Sequence, residues 1–176
     1  MVIVLTFAAR VMQETSMKLL LMRHGDAVML RPDAGRPLSA TGRAEVQANA
    51  KGLVAQGWRP SQMFAIPLQR AAETANLMAA SLAYTGPVTT WEALSPHSTS
   101  AAVLALLVEY KQAEPEQVQA GVACPLLVTH QPLVGDFVKY LTGKDCMLHT
   151  ASIAAIEFDF SSPQESELIW LLDAHG

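Results

Sequence analysis

Two histidines and two arginines in this chain stand where apolar runs give out, and residues of those types in those places suit phosphoryl chemistry. His24 follows Arg23 at the end of the run Leu19-Leu20-Leu21-Met22, and Gly25 comes next. His130 closes a second run, Pro125-Leu126-Leu127-Val128-Thr129, while Arg70 falls one turn into the helix expected after Ile66-Pro67. A neutral imidazole can attack phosphorus and hold the phosphoryl group as a phosphoramidate, which divides one hard displacement into two easier ones. On that chemistry His24 is the nucleophile, and its second ring nitrogen should donate to a nearby carbonyl or side chain so that the lone pair is fixed. Arg23 and Arg70 each offer forked donors to phosphoryl oxygens, and the helix N-terminus beside Arg70 would add oriented N–H groups. His130 supplies a further donor, as an imidazolium when the oxygens around it are anionic.

A lone histidine at a strand end is more often a satisfied polar residue than a catalyst, so the inference rests on the set. His149 and His175 lack such neighbours and read as structural or surface residues. Arg36 and Arg43 read as solvated groups, or as the rim of a basic pocket.

The elements that must position these groups follow an alternating rhythm. Leu19 to Met22 has no polar alternation, which predicts a strand covered on both faces. Ser39 is placed to cap a helix over residues 41–56, with Val46, Ala50, Leu53 and Val54 near helical spacing and Gly57 as its stop. A strand over 62–66 leads to a helix over 68–82 with Pro67 at its first position. A short strand at 87–91 and a helix over 100–110, capped by Ser98 or Ser100, come next, and residues 115–120 add another turn. A core strand at 126–129 precedes a helix over 133–141 that Gly143 ends. Residues 153–160 and 168–172 form a closing hairpin around Ser161-Ser162-Pro163. Strands and helices that alternate through short loops predict an α/β sandwich with a mostly parallel sheet, whose ligand crevice lies beyond the carboxyl ends of the strands.

The chain has 176 residues, of which 51% are hydrophobic and 16% charged, enough for one domain with one core. A net charge of -4 gives no general attraction to nucleic acid or to anionic lipid, so an anion site must be local. Cys124 and Cys146 make neither a disulfide framework nor a metal spacing, which suits a reducing cytoplasm. The eight methionines are core filler. Val2 to Ala9 is apolar but too short to span a bilayer. Residues 1–16 are read as an N-terminal extension, from an upstream start or as a short amphipathic helix, and residues 17–176 as the folded domain.

A family resemblance joins these pieces. Leu21-Met22-Arg23-His24-Gly25-Asp26-Ala27, Arg36-Pro37-Leu38-Ser39 to Gly42, Pro67 to Thr74 with Arg70-Ala71, Leu94-Ser95-Pro96, and Val128-Thr129-His130-Gln131-Pro132-Leu133-Val134-Gly135 resemble, in order, the histidine phosphatase superfamily, and within it the SixA-type phosphohistidine phosphatases. The resemblance covers Met17 to the C-terminus. It implies a three-layer α/β/α sandwich of the phosphoglycerate mutase-like kind, no metal or other cofactor, and a phosphohistidine intermediate on His24. Arg23, Arg70 and His130 complete the implied phosphate pocket, and Gly25 lines it.

Two departures from the family pattern bear on function. Ile66 stands where the family usually has a serine, which removes a helix cap worth about 1 kcal/mol. Pro96 stands where mutase-like members carry a proton-donating glutamate, an absence that SixA-type relatives share. An alkoxide leaving group gains roughly 10²- to 10⁴-fold from protonation, whereas an imidazole needs it far less. Asp26 and Glu92 are the remaining acids; the first could instead brace the loop after Gly25, and the second could be a strand-end charge. Little room remains between Glu92 and the strand before His130 for a lid, so the pocket should be shallow and open. The expected substrate is phosphohistidine on a protein, such as a phosphotransfer domain or a phosphocarrier. The rivals are a phosphoesterase for a small metabolite and a non-catalytic module that binds phosphorylated partners.

Overall fold

The computed structural model describes residues 16–95 and 97–174. Residues 1–15, Pro96 and His175, on which some of the expectations above fall, lie outside the described residues.

The central sheet has six strands: β1 (Ser16–Arg23), β2 (Gln62–Ala65), β3 (Val88–Thr90), β4 (Pro125–Thr129), β5 (Ile153–Asp159) and β6 (Glu167–Leu172). Their order is β3-β2-β4-β1-β5-β6. The β3-β2-β4-β1 pairings are parallel, and β5 runs antiparallel to both β1 and β6. Ser16, counted above with the extension, opens β1 opposite Asp159. Leu19 to Met22 and Leu126 to Val128 are all buried, as strands covered on both faces require.

The helices are α1 (Ala40–Ala55), α2 (Gln69–Ser81), α3 (Ser100–Ala113), α4 (Pro115–Gln119) and α5 (Leu133–Thr142). Contacts join α1 to α2 and α3 to α5, and right-handed crossovers put these pairs on opposite faces of the sheet. Local chemistry sets most of their ends. The Ser39 side chain accepts from the Gly42 amide at the start of α1, and Gly57 turns the chain after it with φ +73°. Gly143, at φ +68°, ends α5. Such left-handed positions favour glycine because no Cβ meets the backbone.

Four local expectations are corrected. Leu68, not Ile66, is the cap residue of α2, so Pro67 precedes the helix instead of opening it. Ile66 is buried and its amide bonds to Val128, so it extends the core beyond β2 and no cap is lost there. Thr99, not Ser98 or Ser100, caps α3, its hydroxyl accepting from the Ala102 amide. Val54 is 41% exposed, leaving Val46, Ala50 and Leu53 as the apolar stripe of α1.

Candidate active site

The adjacent strands β1 and β4 set the crevice. Arg23 pairs with Thr129 across them, and the His24 amide donates to the Thr129 carbonyl at 2.9 Å. The chain leaves β1 toward β2 through α1, but leaves β4 the other way toward β5 through α5. Connections that part in this manner open a crevice at the strand ends. Arg23, His24 and His130 stand at those ends, and Arg70, second residue of α2, reaches them from the side.

His24 has a defined tautomer. Its Nδ1 lies 2.8 Å from the Gly25 carbonyl, which can only accept, so Nδ1 carries the proton and Nε2 keeps the lone pair. That lone pair receives the Arg70 Nε–H at 3.1 Å. Burial, and then the charges of Arg70, Arg23 and His130, push the His24 pKa down to about 4 against the opposing pull of the Gly25 carbonyl. The ring is therefore neutral at physiological pH, the state a nucleophile needs.

His130 is also orientated by its neighbour. Thr129 donates its hydroxyl proton to the Leu94 carbonyl at 2.8 Å, so at 3.3 Å it accepts from His130 Nδ1. The opposite nitrogen, Nε2, is buried without a protein partner. Burial lowers the His130 pKa, as do Arg70, Arg23 and His97. Arg23 donates from Nη1 to the Leu148 carbonyl at 3.0 Å, and its Nε is likewise buried and unpartnered. Two buried polar atoms without partners at one crevice mark a place built for a polar ligand.

Several residues that hold this arrangement were given no role in the sequence reading. Thr74 accepts the Gly25 amide at 3.1 Å while donating to the Arg70 carbonyl at 2.7 Å, so one hydroxyl ties the loop after His24 to the start of α2. The Gly25 amide thus bonds to Thr74, and the Gly25 carbonyl bonds to the His24 ring. Its missing side chain matters too, since a Cβ there would lie 2.9 Å from the Gly42 carbonyl oxygen. Buried Glu45 accepts the Asp26 amide, and buried Asn49 donates to the Ala151 carbonyl at 2.8 Å. Ala151 in turn donates its amide to the His24 carbonyl. A polar residue on the buried side of a helix is the available signal for Glu45 and Asn49, and Thr74 closes the Pro67 to Thr74 motif.

The candidate acids are engaged elsewhere. Asp26 accepts the Ser39 hydroxyl at 2.6 Å, the bracing geometry, and exposed Glu92 is 3.4 Å from the Ser95 hydroxyl. Arg36 is not simply solvated: it grips the carbonyls of Val28 and Ala27 and pairs with Asp33 at 3.1 Å. Asp33 also contacts Arg70, and Arg36 before Arg70 holds its carboxyl below the usual range. Arg43 pairs with Glu73 at 2.7 Å, and His149 with Asp173 at 2.6 Å. Cys124 is buried, and burial pushes its thiol up to about 12, so it packs. A groove of about 900 Å³ beside the site is lined by Met29, Leu30, Arg31, Pro32, Asp33 and Arg36. Among the described residues no cluster of three or more His, Cys, Asp or Glu could hold a metal ion, and no helix is long and apolar enough to cross a membrane.

An α/β/α sandwich whose strand ends gather two histidines and two arginines defines a class of phosphate-handling proteins. Residues 19–120 match the histidine phosphatase superfamily (branch 1), and the chain belongs to that superfamily. Among solved structures, the protein histidine phosphatase SixA complexed with tungstate is similar with a TM-score of 0.79 and 28% identity, over 90% of this chain and 98% of that one. A mycobacterial glucosyl-3-phosphoglycerate phosphatase in complex with inorganic phosphate gives 0.69 and 18% identity, over 91% and 99%. A phosphoglycerate mutase from Bacillus anthracis gives 0.66 and 15% identity, over 93% and 96%. The last two share the fold, which is phosphoglycerate mutase-like, as the sequence implied. Comparison with curated proteins yields no match.

Proposed function

We propose that this chain is a metal-independent phosphohistidine phosphatase of the cytoplasm, removing the phosphoryl group from a histidine on another protein, such as a phosphotransfer domain or a phosphocarrier. The observation that carries the reading is the neutral His24 ring, its proton held on Nδ1 and its Nε2 lone pair turned toward Arg70. A phosphoryl dianion entering this cradle takes the Arg70 Nε–H from His24, and the freed lone pair attacks phosphorus. The substrate's ring, protonated beforehand on its other nitrogen by solvent, takes the electrons of the breaking N–P bond and leaves as neutral imidazole. The incoming charge raises the His130 pKa, so that Nε2 donates as an imidazolium to the transferring group. Water then attacks the phosphorus on His24, the Nε2–P bond breaks with its electrons returning to Nε2, and phosphate leaves.

The leaving group argues for the substrate. Asp26 is held by Ser39, and Glu92 is exposed beside Ser95, so neither carboxyl is arranged as an acid toward an alkoxide. An imidazole leaves without that help. The 28% identity to the SixA structure, which holds tungstate, supports the same assignment. A second reading, a phosphoesterase for a small metabolite, draws on the fold shared with the glucosyl-3-phosphoglycerate phosphatase. Purified protein in EDTA, given a phosphohistidine protein and a sugar phosphate, separates the two. The expected outcome is turnover of the phosphohistidine protein faster by roughly 10²-fold or more; comparable hydrolysis of the sugar phosphate promotes the second reading.

A further inference from the structure

Arg70 is nearly enclosed and three of its nitrogens are already engaged. Its Nε donates to His24 Nε2 at 3.1 Å, Nη1 to the Asp33 carbonyl at 2.9 Å, and Nη2 to Asp33 Oδ2 at 3.1 Å. The first contact occupies the lone pair that attack requires, so it must open before His24 can attack. To activate His24, the guanidinium must hand its Nε–H to a phosphoryl oxygen without leaving the crevice. A planar fork can make that change when its other end is held.

We propose that Asp33 is the positioning residue that holds that other end, and that it joins phosphate capture by Arg70 to the loop over residues 26–38. Asp33 grips the fork twice, through its carbonyl and its carboxylate. The second carboxylate oxygen takes Arg36 Nη1 at 3.1 Å, and Arg36 in turn grips the Val28 and Ala27 carbonyls of the same loop. A chain of contacts therefore runs from the backbone just after His24-Gly25-Asp26, through Arg36 and Asp33, to Arg70. The Asp33 side chain is 65% exposed while that of Arg70 is 8% exposed. The charge of the pair is screened at that exposure, so its contribution is to geometry and not to fold stability. Asp33 is also an anion beside an anion site, so it does not serve affinity; it serves alignment in the transition state, where small misplacements are costly.

Asp33→Ala and Asp33→Asn test this with p-nitrophenyl phosphate as substrate and inorganic phosphate as inhibitor. In Asp33→Ala, kcat should fall roughly 10-fold, with a Ki for phosphate no weaker than that of the native protein and an unchanged Tm. Asp33→Asn, which keeps an acceptor for Nη2, should recover most of kcat. An Asp33→Ala kcat within about twofold of native, a Ki that rises in step with the kcat loss, or an asparagine variant as poor as the alanine one overturns the proposal. The ¹⁵N signal of the Arg70 guanidinium gives a readout that needs no turnover. It should be resolved in the native protein and broadened by faster rotation in Asp33→Ala, where only the backbone carbonyl still holds that end; an identical signal in both also overturns the proposal. If neither substrate class is hydrolysed, the function proposed above fails while this signal still decides the role of Asp33.

Discussion

At the scale of single residues, the pKa of His24 links the site to stability as well as to chemistry. The unfolded chain's histidine protonates near pH 6.5, but the folded one does so at about 4. As pH falls through that window the unfolded state binds the proton first, so stability present above pH 6.5 is lost progressively toward pH 4. For His24 alone the loss is about 3 kcal/mol, and His130, also lowered, acts in the same direction. An NMR titration should find the His24 ring neutral, with its proton on Nδ1, at pH 5.5; a protonated ring there contradicts the assignment. Arg70 should matter through the transition state. Arg70→Ala is expected to lower kcat by roughly 10²- to 10³-fold, and a loss that merely follows a lower Tm would make the residue structural. Arg23, His24 and His130 were legible in the sequence because each is a rare polar group at the end of an apolar run, and Arg70 because it falls one turn into the helix that follows another. Asp33 and Thr74 were not, since their work depends on where Arg70 comes to rest, and no local spacing encodes that.

At the scale of elements, helix α1 does more than cover the sheet. Its first turn abuts the loop after His24 so closely that a Cβ at Gly42 would clash with the Asp26 carbonyl oxygen. Ser39 and Glu45 bond the same stretch: the Ser39 hydroxyl donates to the Asp26 carboxylate, and the Glu45 carboxylate accepts the Asp26 amide. Gly42→Ala should therefore destabilise by about 1–3 kcal/mol, lowering Tm by a few degrees and reducing kcat with it; a calorimetric melt at the native temperature would show that the loop gives way freely. The start of α1 and the ends of α1 and α5 were readable from Ser39, Gly57 and Gly143, whose chemistry is local. The start of α2 departs from the expectation because Ile66 extends the core beyond β2, the chain turns at Pro67 with the Leu68 amide donating to the Ile66 carbonyl at 2.8 Å, and α2 begins after Leu68. The cap of α3 was displaced by one residue among Ser98, Thr99 and Ser100, all of which can accept the same bond.

For the whole molecule, strand and helix alternation was enough to predict the layered fold, and the superfamily match agrees with it. The antiparallel β5 and β6 followed from the hairpin pattern at the C-terminal end. Strand order was not legible, because pairing of β1 with β4 depends on contacts more than a hundred residues apart in sequence. That pairing is what brings His24 beside His130 and gives the molecule its crevice. The central claim is that phosphate passes through His24, and trapping tests it most directly. Native protein would be mixed in EDTA with a phosphohistidine protein carrying ³²P, quenched without acid, and digested for peptide mapping. Label is expected on the peptide bearing His24, and none in His24→Ala, although that variant still binds vanadate through its arginines. Label on any other residue, or full turnover by His24→Ala, would contradict it.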